Sequence, residues 1–414
     1  MSTTGLPFAR PLYVMAKPAG SYCNLACTYC YYLEKSNLYS GRASQQVMSD
    51  ELLERYIREY ITSQTTPEVL FTWHGGEALM RPISFYQKAL ELQKRYAKGR
   101  RIDNAIQTNG LLLNDTWCEF FKKNNFLVGI SIDGPKEGHD TYRITTSGHP
   151  THYRVLKAIN LLKKHGVEYN ALAVVNNINV KNPVGFYRFF KEIECHYIQF
   201  TPIVERLQPH ADGTQLVSVR EEGDLAPFSI TPRQWGDFLI GLFDEWIKED
   251  VGIYYIQLFD ATLANWVGVT PGVCSMAQYC GHAGVMEHNG DVYCCDHFVF
   301  PEYKLGNIHS KTLVEMMYSE RQQKFGRDKY DTLPRQCREC EYLFACWGEC
   351  PKNRFVEDEY GNPGLNYLCS GYFRYFRHVA PYMDFMKTAY LTGRPPASVM
   401  TEFSAPDRSE KFDG

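Results

Sequence analysis

Three cysteines near the start of the chain, Cys23, Cys27 and Cys30, are spaced C-x3-C-x2-C in the segment CNLACTYC. Three thiolates held close together can bind three irons of a [4Fe–4S] cube. The fourth iron then has no protein ligand, and an open metal position is where substrate or cofactor coordinates. The same three sulfurs with a His or a water would also suit zinc. Eight more cysteines lie downstream: Cys274, Cys280 and Cys295, then Cys337, Cys340, Cys346 and Cys350 as C-x2-C-x5-C-x3-C, then Cys369. Eight thiolates make two sets of four, enough to close two clusters or two structural zinc sites, because soft thiolate sets suit both. Of the 14 cysteines, Cys118, Cys195 and Cys294 remain. They read as small apolar packing residues, although Cys294 adjoins a candidate ligand.

Composition sets the context for that chemistry. The chain has 414 residues, with 44 Lys+Arg against 47 Asp+Glu and a net charge of −3. This near-balance excludes a strongly basic nucleic-acid binder and a polyacidic tail protein. A hydrophobic content of 44% with 22% charged residues excludes wholesale disorder. The N-terminal segment MSTTGLPFARPLYVMAKPAG has neither the apolar run nor the cleavage site of an export signal, and no stretch is long and apolar enough to span a bilayer. The expectation is a cytoplasmic protein, where reduced, clustered cysteines bind metal or do redox work rather than pair as disulfides.

A frame must position these residues, and the pattern supplies one. Strand-like runs at Leu12–Lys17, Val69–His74, Asp103–Thr108, Leu127–Ile132, Tyr169–Val175 and Tyr197–Pro202 end in turn or polar signals. Helix-period segments lie at Ser49–Ser63, Pro82–Ala97, Asp115–Asn124, Thr151–His165, Pro183–Glu194 and from Thr231 or Pro232 to Glu249, with Ser49 and Asn114 as N-caps. Alternating β and α implies a parallel sheet, here an α/β fold whose six units form an open, partial (β/α)6 barrel with ligands at the C-terminal strand ends. The expected organisation is a barrel over 1–250 with a polar loop or lid at 205–230, a linker at 251–273, and a cysteine-rich module at 274–370 organised by metal rather than by a hydrophobic core. A C-terminal helix, with a bend expected at Pro381, and a loosely attached tail fill 371–414.

CNLACTYC followed by Tyr31 resembles the C-x3-C-x-aromatic-C signature of the radical S-adenosylmethionine (SAM) enzymes, and the resemblance covers nearly the whole barrel. His74-Gly75-Gly76-Glu77 is similar to the family's GGE(P) motif, with Ala78 where Pro is usual. The resemblance implies that Cys23, Cys27 and Cys30 hold an open cluster on which S-adenosylmethionine binds, and that the glycine backbone and Glu77 meet its methionine amine. Gln107–Gly110 and Ser131–Gly134 match segments that contact ribose and the methionine carboxylate in relatives. By position the cofactor-binding set is Tyr29, Gly75, Gly76, Glu77, Ser131, Arg143 and, after the sixth strand, Val204. Taken singly, each has an ordinary alternative: a capping Ser, a turn residue, a surface Arg.

The span Cys274–Cys369 resembles the SPASM module, which implies two auxiliary [4Fe–4S] clusters and three clusters in all. The resemblance also implies interleaved ligands: Cys274, Cys280, Cys295 and Cys350 for the first auxiliary cluster, Cys337, Cys340, Cys346 and Cys369 for the second. Within the module Cys294-Cys295-Asp296-His297, together with YVMAKPAGSYCNLACTYCYY and IQFTPIVE, resembles the anaerobic sulfatase-maturating enzymes. Those enzymes oxidise one Cys or Ser of a sulfatase to formylglycine. Asp296 would be the base that takes the thiol or hydroxyl proton; the alternative is a turn residue bonded to local backbone. A 5′-deoxyadenosyl radical would take hydrogen from Cβ, and the surplus electron would pass to the first auxiliary cluster.

The implied partners are a sulfatase segment C/S-x-P/A-x-R and an electron donor such as flavodoxin or ferredoxin, with no nucleic acid and no membrane. Trp73 and the 205–230 loop are candidate walls of the peptide groove, His74 is a candidate substrate contact or a support of the strand end, and Tyr32 a candidate positioner of Asp296 or the substrate. Two competing readings are a relative that makes thioether or carbon–carbon crosslinks, and a zinc-stabilised binding protein.

Overall fold

The structure is a computed structural model and describes residues 11–39, 41–210, 213–216 and 222–403. Its first six strands are β1 (Tyr13–Ala16), β2 (Glu68–Trp73), β3 (Arg101–Thr108), β4 (Phe126–Ser131), β5 (Tyr169–Val175) and β6 (Tyr197–Pro202). They pair in parallel in sequence order. The crossovers carry helices α1 (Asp50–Thr62), α2 (Ile83–Tyr96), α3 (Asp115–Lys123), α4 (Lys136–Asp140), α5 (His152–His165) and α6 (Pro183–Glu192), and α7 (Pro232–Glu249) follows β6. This is the partial α/β barrel expected from the alternation.

Local signals account for the boundaries. Ser49 Oγ accepts from the amide of Leu52 at 3.2 Å and Asn114 Oδ1 from that of Trp117 at 3.0 Å, capping α1 and α3. α5 ends on Gly166 at φ 62, a conformation that costs glycine nothing. On α1 the residues Leu52, Leu53, Tyr56, Ile57, Tyr60 and Ile61 recur at helical spacing and are all buried.

Three expectations need correction. The 251–273 stretch is no plain linker: it carries the short strand β10 (Tyr255–Ile256), paired with β6, and helix α8 (Gln257–Val267). The 205–230 insertion is more than a loop, because β7 (Arg206–His210), β8 (Gly213–Leu216) and β9 (Asp224–Leu225) form a small antiparallel sheet, while residues 211–212 and 217–221 lie outside the described residues. The cysteine-rich region is also built on apolar packing. Its strands β11 (Ala283–Met286), β12 (Asp291–Tyr293) and β13 (Lys304–Asn307) extend the barrel sheet to ten strands, with β11 parallel to β1 from Tyr13↔Ala283 to Ala16↔Met286. Met286, Val292, Leu313 and Met316 then share one hydrophobic core with the barrel. Periodicity within a segment cannot reveal which edge strand a distant hairpin will join.

The C-terminal helix runs unbroken from Cys369 to Leu391 through Pro381. It crosses α7 at two glycines, where a Cβ on Gly371 would sit 2.2 Å from the carbonyl oxygen of Pro232. The beginning of the supposed tail is docked, with Val399 fully buried; residues 404–414 lie outside the described residues.

Trp73 is a core residue rather than a groove wall. It has no exposed surface, stacks on Phe71, meets Tyr56, Phe85 and Tyr86 edge-on, and donates Nε1–H to Asn104 Oδ1 at 2.9 Å. Trp73→Ala is therefore expected to destabilise the chain by about 3–5 kcal/mol in denaturant unfolding. A loss below about 1 kcal/mol would contradict this placement.

Candidate active site

All the barrel motifs emerge together because the strands are in parallel register. Ala16 pairs with Trp73, Trp73 with Ile106, Thr108 with Ile130 and Ser131 with Leu172. The residues that follow these pairs meet at one end of the barrel. There the cysteine loop and the GGE loop are knotted: the amides of Gly76 and Glu77 donate to the carbonyls of Gly20 (2.7 Å) and Tyr22 (2.9 Å). A Cβ on Gly76 would lie 2.4 Å from the Tyr22 carbonyl oxygen, and Gly75 sits at φ 131, so both positions demand glycine.

Glu77 is buried, and the structure gives both its oxygens protein donors. Oε1 accepts from the Leu79 amide (2.9 Å) and Thr108 Oγ1 (2.8 Å), and Oε2 from the Asn109 amide (2.7 Å). Burial raises its pKa against these bonds. The carboxylate fastens the end of β2 to the end of β3. Asn109 in turn donates Nδ2–H toward Cys23 Sγ at 3.7 Å, and the Leu25 amide approaches the same sulfur at 3.4 Å.

On the opposite wall Tyr29 is buried and its hydroxyl donates to Asp133 Oδ2. The same oxygen accepts from Arg143 Nε at 3.0 Å, and Asp133 Oδ1 from the Val174 amide at 2.9 Å. Arg143 thus has a protein partner, Asp133, that the sequence reading passed over as a turn residue. Ser131 lies buried at the end of β4 beside this group. Val204 is buried as well, and its carbonyl accepts from Lys352 Nζ at 2.8 Å, so it contributes backbone.

Asp296 connects the two halves of the molecule. Its side chain, 15% exposed, forms an ion pair with Lys17, the residue that ends β1, and its Oδ2 accepts from the Tyr31 hydroxyl at 2.5 Å. The Lys17 ammonium also lies 3.4 Å from the centre of the Tyr32 ring, whose hydroxyl donates to the buried Glu287. Burial opposes the charge of Asp296, but Lys17, with His74 and His297 nearby, holds its carboxyl well below the usual carboxylate range. Burial pushes both imidazoles down, toward the neutral form, which leaves Lys17 as the neighbouring cation. His74 Nδ1 accepts from the Gly75 amide at 2.7 Å, which fixes its tautomer. Tyr32 acts on Asp296 through Lys17, whereas Tyr31 touches it directly. Lys17 could have been noticed as a lone charge in the apolar run YVMAKP; nothing in the sequence says that it meets a residue 279 positions away.

The donor sets fit iron–sulfur clusters. Cys23 and Cys27 are each pushed up to about 12, chiefly by burial, and both feel Cys30. Such thiols ionise only when a cation compensates, as iron does. In the C-terminal region Cys295 lies in the electrostatic field of Cys274 and Cys350, and Cys350 in that of Cys274 and Cys280. Separately, Cys346 neighbours Cys369 and Cys337, and Cys369 neighbours Cys337 and Cys340. These are the two interleaved groups of four. Cys118, Cys195 and Cys294 are buried apolar neighbours, Cys294 beside Cys280.

Comparison with known proteins agrees with this geometry. Residues 18–190 match the radical SAM superfamily and residues 280–341 an iron–sulfur cluster-binding (SPASM) domain. A serine-type anaerobic sulfatase-maturating enzyme of Bacteroides thetaiotaomicron is 67% identical over 96% of this chain and 97% of its own. A cysteine-type enzyme of Clostridium perfringens is 32% identical over 90% of this chain and 97% of its own. The solved structure "Native anSMEcpe with bound AdoMet and Cp18Cys peptide" superposes with a TM-score of 0.81 at 31% identity, covering 92% of this chain and 100% of that one. A radical SAM barrel joined by one continuous sheet to an iron–sulfur module, with such relatives along its whole length, places this chain in the family of anaerobic sulfatase-maturating enzymes.

Proposed function

We propose that this enzyme converts a serine of a sulfatase polypeptide to Cα-formylglycine, in preference to a cysteine, with Asp296 as the base. The preference rests on 67% identity to a serine-type relative against 32% to a cysteine-type one. The role of Asp296 rests on one observation. Its chain neighbour Cys295 belongs to the first auxiliary set, while its hydrogen-bond donor Tyr31 is the neighbour of Cys30 in the barrel set. The carboxylate therefore stands where the two cofactor regions face each other.

Bound clusters and S-adenosylmethionine would supply the radical that takes hydrogen from Cβ and the acceptor for one electron. Three [4Fe–4S] clusters, held by Cys23/Cys27/Cys30 and by the two groups of four, account for eleven of the cysteines. Gly75, Gly76, Ser131, Tyr29 and Arg143 shape the cofactor's side of the cavity, Val204 lends its backbone, and Glu77 holds the GGE loop against β3. A hydrogen atom, one electron and the hydroxyl proton leaving together make the two-electron oxidation of an alcohol to an aldehyde. Asp296 takes that proton: Lys17 keeps it ionised and Tyr31 fixes its orientation. Partner segments of the form C/S-x-P/A-x-R, a flavodoxin or ferredoxin as reductant, and a cytoplasmic location complete the reading. Among the described residues no helix is long and apolar enough to cross a membrane.

Three experiments bear on it. Anaerobically reduced enzyme with S-adenosylmethionine should convert a serine peptide carrying the sulfatase motif to formylglycine by mass spectrometry, at least as fast as its cysteine counterpart. Cleaved cofactor without aldehyde from either peptide would count against it. Asp296→Asn should retain about twelve irons per chain, as three cubes require, and still release 5′-deoxyadenosine, yet lose at least about 100-fold in formylglycine, the usual scale of a general base. Wild-type turnover in that variant would remove Asp296 from the mechanism. Cys27→Ala should abolish 5′-deoxyadenosine release; retained release would contradict the N-terminal cluster.

A further inference from the structure

Cys346 and Cys350 belong to different auxiliary sets, and only three residues separate them. All three are left-handed: Trp347 at φ 50, Gly348 at φ 67 and Glu349 at φ 53. A run of this kind is unfavourable for side chains bearing a Cβ, so something must hold it. Arg354 does. Its guanidinium donates to the carbonyls of Gly348 (2.8 Å), Trp347 (2.8 Å) and Glu349 (3.0 Å), and on its other side to that of Lys329 (2.5 Å). It lies in the field of Cys337 and Cys346 from one set and Cys350 from the other.

Lys329 is a second cation, buried and 1% exposed. Its ammonium donates to the carbonyls of Cys274 (2.8 Å), Ser275 (2.7 Å) and Ala277, the loop that brings Cys274 to the first set. Among the described residues neither cation forms an ion pair with a carboxylate within 4.0 Å. The acid in their vicinity, Glu349, accepts instead from Asn366 Nδ2 at 3.0 Å. A buried and a half-buried positive group without ion-pair partners are costly in a protein interior. A cube bound by four thiolates carries net negative charge in either of its usual states, and supplies what they lack.

We propose that Arg354 and Lys329 are the built-in counter-charges of the auxiliary clusters. Arg354 stands between the clusters and makes both easier to reduce; Lys329 acts on the first. The consequence for the reaction is that the first cluster is a better acceptor for the electron leaving the substrate. This rests on reading the eight cysteines as two four-iron clusters, and the test separates the two ideas.

The experiment uses full-length protein in which Cys23, Cys27 and Cys30 are replaced by Ala, so that only the auxiliary clusters assemble. Iron is counted first, and the clusters are then titrated by redox potentiometry with electron paramagnetic resonance detection. Lys329→Met should need a potential lower by about 59 mV or more for the same reduced fraction of the first cluster, a tenfold change in a one-electron ratio. Arg354→Gln should lower both clusters, and Arg354→Lys, which keeps the charge, should restore most of the difference. If Arg354→Gln assembles less iron, Lys329→Met decides. Full iron with wild-type potentials in Lys329→Met would overturn the proposal. A parent protein that binds no iron would instead overturn the two-cluster reading.

Discussion

The ion pair between Lys17 and Asp296 is the contact around which the site is organised. Lys17 has no freedom to seek water: it is fully buried at the end of β1, with the Tyr32 ring on one side. A buried ammonium is costly without negative charge beside it, and removing one partner of such a pair typically costs about 3–5 kcal/mol because the other is stranded. Asp296, for its part, would resist ionisation in a buried setting without Lys17. Each residue therefore fixes the other's place and charge, and together they tie the first strand of the barrel to the loop that carries Cys295.

That tie works because the backbones are already aligned. β11 runs parallel to β1 over four residue pairs, from Tyr13↔Ala283 to Ala16↔Met286. The hairpin of β11 and β12 leads directly to Cys295, so the register at β1 sets the height of Cys295 relative to the barrel's cysteines. Two modules joined only by a flexible linker could not hold such a spacing. The shared hydrophobic core, with Met286 and Val292 packed among barrel residues, makes the arrangement rigid.

What was legible in the sequence divides along a physical line. Cysteine spacing, strand-end motifs and helix caps are local, and they gave the barrel, the cysteine loop and the helix starts at Ser49 and Asn114. Partners brought together by tertiary packing were not legible. The GGE motif marks Glu77, but not the donors that the end of β3 brings to both of its oxygens. Trp73 looks like a groove aromatic until the helices on either side of β2 enclose it. Asp133 reads as a turn residue, yet it is the common acceptor of Tyr29, Arg143 and Val174. The domain boundary failed for the same reason, since edge pairing of β10 and β11 joins segments far apart in the chain.

The three cysteine sets also differ in how their surroundings treat charge. Around the N-terminal set both cations are paired within the protein: Arg143 lies on Asp133, and Lys17 on Asp296. Around the C-terminal sets Arg354 and Lys329 donate to backbone carbonyls, with no carboxylate in ion-pair contact among the described residues. An open cluster would exchange a charged cofactor, and a neighbourhood whose cations are already paired can accept that ligand without rearranging. A closed cluster exchanges only electrons, so fixed positive charge beside it biases that exchange continuously and needs no moving part. Asp296 lies where these two electrostatic regimes meet, with Tyr31 reaching it from the open side and Cys295 preceding it on the closed side. On the proposed reading, a proton leaving a substrate there would go to a group stabilised by the barrel, while the accompanying electron would be drawn toward the cations of the C-terminal module.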